Sequence, residues 1–385
     1  MSEPHSPRAH ALAGALTLTV GAALPIQGDR PILSPGMLDR LASARTPDQW
    51  PLQLGQLFSL CGHAQTLAAS LALQGAGQIQ SGDLMTARTG YLLQVVTAGE
   101  QLQRLLLEWP LACPQPGVPP DLPLLKAVRS STPPAGASTE ELQRHLEVLA
   151  TVLGDRLFGM RVSDWLARWL AQPAPWLDRW TLGNDGTVAR WLRAVRPLAS
   201  AVRLKHRPLP SPETDAAGFR ALGMRLLHDP AQSQRPMWQG QPAETGPCSR
   251  AWLGGSFVPD DTLWLRLGAR LADLAAVLSR PGSLRFGALR LGPGAGLGWC
   301  EMSRGLLVHA VQCEQVAPDA AHTIARYRLQ APTEWNFHPD GPLADWLRMA
   351  PPSDERLTQA RLAAAALDPC VVLHVRSAAD ATQTR

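Results

Sequence analysis

The spacing of apolar residues changes near Leu284, and that change limits what this chain can fold into. Upstream, apolar side chains recur mostly at helical intervals; downstream they alternate along short runs separated by glycines. Helical spacing predicts a helix entering at Pro51 and carrying Leu54, Phe58, Cys61 and Leu67 toward Leu73. A second is expected over residues 86–109, with Leu92, Val95, Leu102, Leu105 and Trp109 on one face. Ser138 and Glu141 have capping-box spacing, so each can satisfy the other's free N–H, ahead of Leu142, Leu146, Leu149 and Leu153. Short Trp-rich helices follow, then helices over 214–227, 261–278 and 353–367, the last stopped by Asp368-Pro369. Residues 110–137 and 208–212 are proline-rich and read as loop or linker, and 231–254 as irregular. Strands are expected at 14–22, where Leu16, Leu18 and Val20 alternate with Thr17 and Thr19, and at 284–291, 306–311 and 323–329. The implied fold class is α+β, mostly helical, with strands near the beginning and in the last quarter.

Composition removes several functions. With 45% hydrophobic residues in 385, the chain can bury a core and is not wholly disordered. Its formal charge is +4 without a basic block, so nucleic acid is not an expected partner. Six cysteines with no CxxC spacing provide neither a disulfide scaffold nor a zinc knuckle, which suits a reducing cytoplasm. Residues 11–26 are apolar enough to raise a signal peptide. Glu3 in the would-be basic region and the strand-like alternation argue against it. No run reaches membrane-spanning length, and no membrane insertion is expected. GxGxxG after a strand, GxxxxGK[ST], HExxH and GxSxG are all missing, and Gly292 to Gly296 reads as a turn.

Two cysteine-bearing pieces lie at opposite ends: Leu60-Cys61-Gly62-His63-Ala64-Gln65 and Asp368-Pro369-Cys370-Val371-Val372-Leu373-His374. Between them come Glu301-Met302-Ser303-Arg304-Gly305-Leu306-Leu307-Val308-His309 and Pro332-Thr333-Glu334-Trp335-Asn336. In this order the set resembles the nickel–iron hydrogenase large subunit, with its R-x-C-G-x-C, E-x-P-R-G-x-L-x-H, P-[ST]-T-W-N and D-P-C-x-x-C-x-x-H elements. The resemblance implies a helical core with small peripheral sheets and one domain over 1–385, residues 112–280 being assigned by default. The departures are informative. Ala64 and Leu373 stand where the second cysteine of each metal motif belongs, Ser59 replaces the first motif's arginine, Ser303 a proline, and Arg376 the terminal histidine. The proton-passing glutamate of an E-G-H element corresponds to Ala13.

The retained pair, Cys61 and Cys370, matches terminal nickel ligands, while both bridging positions are apolar. A working bimetallic site, stoichiometric nickel and hydrogenase activity are therefore not expected. The retained Arg304 and Thr333 match residues that hydrogen-bond the iron's two cyanides in the family, and Pro332 and Asp368 belong to the same motifs. This pattern resembles the HupK/HoxV-type hydrogenase maturation proteins. It implies a non-catalytic holder of a transient Fe(CN)2CO fragment, with the iron-fragment assembly complex, its chaperone and the apo large subunit as partners. A metal-free paralogue acting as an interaction or regulatory module is the alternative. Each residue also has an ordinary role open to it: a buried apolar cysteine at 61, an Arg304–Glu301 ion pair three residues apart, and core or exposed histidines at 63, 309 and 374. Trp165, Trp169, Trp176, Trp180 and Trp191 read as core, with a partner surface as the other possibility.

Overall fold

The computed structural model describes residues 12–34, 36–58, 61–79, 84–134, 136–255, 260–315, 322–349 and 351–381. Glu3 and Ser59 lie outside them. The strands are β1 (Ala15–Val20), β2 (Ile26–Asp29), β3 (Phe286–Gly292), β4 (Ala295–Met302), β5 (Gly305–Glu314), β6 (Thr323–Gln330) and β7 (Val372–Ser377). Five helices frame the site: α1 (Gly62–Gly75), α2 (Ala87–Gln103), α3 (Leu263–Ser279), α4 (Pro332–Asn336) and α5 (Asp354–Leu367). The mostly helical α+β class holds.

β3 to β6 form an antiparallel meander, turned between β3 and β4 at Pro293-Gly294, where Gly294 takes φ +64°. Alternation along β4 assigns its two faces. Leu297 points to the helix Ala216–His228, where a Cβ on Gly223 would lie 2.8 Å from its methyl group. Gly296 and Gly298 face α1 so closely that a Cβ on them would lie 2.1 Å from Ala72 O and 2.2 Å from Ala68 O. Ala68, Ala69 and Ala72 supply the matching small surface on α1. Backbone meets backbone there, and the axis of α1, with Cys61 at its start, is fixed relative to the sheet. Covered on both faces, β5 is an almost continuous apolar run, which explains why alternation is weak along it.

The second sheet is ordered β2-β1-β7, and β1 pairs in parallel with β7 from Ala15↔Val372 to Val20↔Ser377. β7 was not expected from the sequence, yet it ties the two ends of the chain together. One hydrophobic cluster extends from Leu16 through the helices to Leu367. The Trp-rich helices belong to this core: Trp165, Trp169, Trp176, Trp180 and Trp191 are all buried, and Trp109 stacks on Trp191 at 4.8 Å. Burial excludes the partner-surface reading of these side chains.

Other boundaries moved. Residues 110–137 contain the helix Leu122–Ser130, with Asp121 capping Leu124 N at 3.1 Å; its prolines had hidden this start signal. Helix Pro247–Leu253 interrupts the expected irregular region. The long second helix passes through a π turn, Arg104–Glu108, after α2.

Because the α1–β4 contact has no room for a methyl group, Gly298→Ala should destabilise the protein by about 1–3 kcal/mol. Urea denaturation should show a lower midpoint with an unchanged slope; an unchanged midpoint would refute the close-contact account.

Candidate functional site

Cys61 stands at the N-cap of α1, and the glycine after it has a steric reason. A Cβ on Gly62 would lie 2.6 Å from Gly55 O, where the preceding helix Trp50–Gln56 crosses. Cys370 follows the stop of α5. Asp368 takes the left-handed conformation, φ +57°, while its N–H closes the helix on Ala364 O at 2.7 Å. Pro332, at the first position of α4, needs no hydrogen-bond partner for a backbone N–H and presents Thr333 on a rigid turn. The Thr333 hydroxyl accepts from Cys370 N at 3.1 Å and lies 3.0 Å from its Sγ. Two motifs at distant positions in the chain thus meet at one thiol.

Asp368 is the centre of the charge arrangement. Arg104 Nε approaches its Oδ1 at 2.6 Å, Arg270 Nη1 its Oδ2 at 2.9 Å, and Arg304 Nε its Oδ1 at 3.5 Å. Burial resists ionisation of this carboxyl, but the three guanidinium groups outweigh it and hold it below the usual carboxylate range. Arg304 Nη1 also donates to Glu100 at 2.8 Å, and the Ser303 hydroxyl binds the same carboxylate. Burial raises Glu100 despite Arg304. The R-G element has its own packing reason: Gly305 has φ +139° against Thr245, and Thr245 Oγ1 accepts Leu306 N at 2.9 Å. Asn336 joins the pieces, accepting Thr245 N at 2.9 Å and donating to Leu367 O at 3.2 Å.

Cys61 is buried, and Gln65 Nε2 lies 3.6 Å from its Sγ. Burial, then the neighbouring Cys370, push its thiol up to about 12 against the pull of Arg304. Arg30 lies beside both sulfurs. It donates from Nε to Ala13 O at 2.7 Å and pairs through Nη1 with Glu334. Two clefts reach residues of this region. One, of about 420 Å3, is lined by Phe58, His63, Glu100 and Arg304. The other, of about 380 Å3, is lined by Arg30, Thr333 and Glu334.

The structure therefore brings Cys61, Arg304, Pro332, Thr333, Asp368 and Cys370 into one region. It corrects the pairing of Arg304, which binds Glu100 and Asp368. Glu301 instead accepts Arg285 N at 3.0 Å and lies beside Arg250. Ala64 is buried and its carbonyl receives the Cys300 thiol at 3.5 Å; Leu373 pairs with Leu16 in the sheet. His309 is a core residue, its Nδ1 2.6 Å from Tyr327 OH, and burial lowers it to about 3. His374 is exposed. Sequence reasoning missed Arg30, Glu100, Arg104, Arg270 and Glu334. Glu334 was legible as a departure within P-[ST]-T-W-N, and Arg270 as a charge on an otherwise apolar helix.

A second cluster, His206, Glu244 and Cys248, has ligand atoms within 4.8 Å of one another. Arg266 already occupies the Glu244 carboxylate at 2.8 Å, with His206 Nδ1 at 3.1 Å, so the group is charge-compensated without an ion. It anchors the residue preceding Thr245, the brace of the R-G element. Burial disfavours the Glu244 charge, but Arg266 and His206 prevail and hold it at about 2.

Curated relatives match over almost the whole chain. One from Cupriavidus necator, named hydrogenase expression/formation protein HoxV, is 34% identical and covers 94% of this chain and 95% of its own. One from Rhizobium leguminosarum bv. viciae, named hydrogenase expression/formation protein HupK, is 31% identical over 95% and 97%. No family model matches. Among solved structures, the reduced Ni-Fe-Se hydrogenase from D. vulgaris Hildenborough superposes with TM-score 0.50 at 14% identity, covering 90% of this chain and 92% of that one. At that identity the likeness is one of fold.

Asp368→Asn should cost about 3–5 kcal/mol, because it strips charge from a carboxylate that compensates buried arginines. Chemical denaturation at neutral pH measures it, and a loss within error would refute the hub. Glu244 offers a pH test. Its folded value lies below its ordinary 4.5, so its contribution is complete above that pH and is lost as pH falls toward about 2. The stability gap between wild type and Glu244→Gln should therefore be constant near neutrality and close in that acid window.

Proposed function

Because this chain belongs to the HoxV/HupK family of hydrogenase expression/formation proteins, we propose that it is a non-catalytic scaffold of hydrogenase assembly. Its cargo is the Fe(CN)2CO fragment, held before transfer to an apo large subunit. The observation that carries this reading is the meeting of Cys61 and Cys370, from opposite ends of the chain, beside Arg304 and Thr333. The positions of the other two cysteines offer only Ala64 and Leu373.

The chemistry suits such a cargo. Low-spin ferrous iron is a soft centre, and thiolates are its preferred protein ligands. Cys61 and Cys370 would supply them, releasing their protons on binding. Cyanide keeps a negative nitrogen end, and a buried guanidinium is a permanently charged donor for it. Arg304 supplies that group, and among the described residues its buried Nε, 3.5 Å from Asp368 Oδ1, has no hydrogen-bond partner. Thr333 contributes a hydroxyl at Cys370, Pro332 its rigid turn, and Asp368 the orientation of Arg304. Two thiols do not make the four-thiolate nickel site of the enzyme, so nickel is not part of the cargo. The partners are an iron-fragment assembly complex with its chaperone as donor and the apo large subunit as acceptor. The setting is the cytoplasm; among the described residues, no helix is long and apolar enough to cross a membrane.

One observation favours the alternative of a metal-free interaction module: Arg304 is already paired with Glu100 and Asp368. Infrared spectra separate the two. Protein co-produced with the maturation machinery should show CN and CO stretching bands, stoichiometric iron and no stoichiometric nickel. Cys61→Ser should lose the bands and the iron while keeping its thermal midpoint, since a hydroxyl is a poor ligand for soft iron. Wild-type protein without bands would leave the interaction module as the reading.

A further inference from the structure

Arg30 lies at the end of β2, and the small sheet determines what it meets. Asp29 pairs with Ala15, and Ala15 pairs with Val372, so the residue after β2 and the residues before β7 emerge at the same end of the sheet. That places Arg30 beside Cys370, with its side chain only 6% exposed.

Its donors do not balance. Nε is satisfied by Ala13 O and Nη1 by Glu334 Oε1, while the buried Nη2 has no oxygen or nitrogen partner and the guanidinium's other hydrogen-bonding neighbour is the Cys370 thiol. The unused oxygen of the same ion pair, Glu334 Oε2, is equally unpartnered. A guanidinium serving only to neutralise a buried carboxylate gains most from a two-pronged contact, which would satisfy both orphans together. Here the fork is turned away, and Arg30 lines a cleft together with Thr333. A buried donor without an oxygen or nitrogen partner is costly, and such a group in a folded protein calls for an explanation, of which a ligand is one. Two further facts concern this chain in particular. The residue whose carbonyl fixes Arg30 is Ala13, where the resembled enzymes carry a glutamate. The paired Glu334 stands where their motif has threonine. A carboxylate is missing on one side of Arg30 and added on the other.

We propose that Arg30 is a cargo-binding residue, whose Nη2 donates a charge-assisted hydrogen bond to a cyanide of iron held at Cys370. This rests on the scaffold reading. A ferrous ion with two cyanides is neutral, and each thiolate adds a negative charge, so one arginine cannot balance the loaded site. Arg304 and Arg30 line different clefts and each lies beside both thiols, so two cations serve the loaded site, with Glu334 keeping Arg30 compensated while the site is empty.

The test uses the full chain co-produced with the maturation machinery, read by infrared bands, iron content and thermal denaturation. Arg30→Lys keeps a cation for Glu334 but has no second prong. Arg30→Met combined with Glu334→Thr removes the ion pair as a unit and leaves no buried charge behind. In both, one cyanide band should move while the other holds, and the double variant should retain iron roughly ten- to a hundredfold more weakly, the worth of one hydrogen bond to a charged group. Wild-type bands and iron retention in folded Arg30→Lys and in the double variant would overturn the assignment and leave the scaffold reading standing. A wild-type protein without bands would overturn both.

Discussion

One buried carboxylate organises this molecule. Asp368 collects Arg104 from the π turn after α2, Arg270 from α3 and Arg304 from the β4–β5 turn. Arg270 adds Ala366 O at 2.7 Å and Ser303 O, so the carboxylate and the end of α5 are gripped together. Charges buried this deeply are tolerated only when every partner is in place, because the attraction has to offset the loss of water around each ion. The same network holds Asp368 in a left-handed conformation that a non-glycine residue otherwise avoids. Cys370, two residues on, inherits its position from that stop.

The other thiol is set by shape. α1 rests on glycines of β4, and Gly62 clears the crossing helix at Gly55. The thiols are therefore located by unrelated means, ion pairs for Cys370 and backbone contact for Cys61. A pocket positioned this way is held by the chain's own contacts, which suits the scaffold role proposed above. Under that proposal, loading would add negative charge where positive donors are already fixed, with little reorganisation.

Much of this was written in the sequence. Apolar spacing specified most helices and the meander, because burial of one face leaves a periodic signature. The ordered motifs at 61, 304, 333 and 370 named the groups that meet, and Ala64 and Leu373 are visible as departures at the second cysteine position of each metal motif. β7 was not legible: its short, half-exposed alternation acquires meaning only from pairing with β1, more than 350 residues away. Glu100, Arg104 and Arg30 were not legible either. A lone charged residue in a local window is most simply read as solvated, and only folding places it beside a partner hundreds of residues distant. Sequence determined which chemical groups the chain retains, since those choices are made residue by residue. Tertiary structure decided which charges surround them, since burial and pairing are properties of neighbours in space.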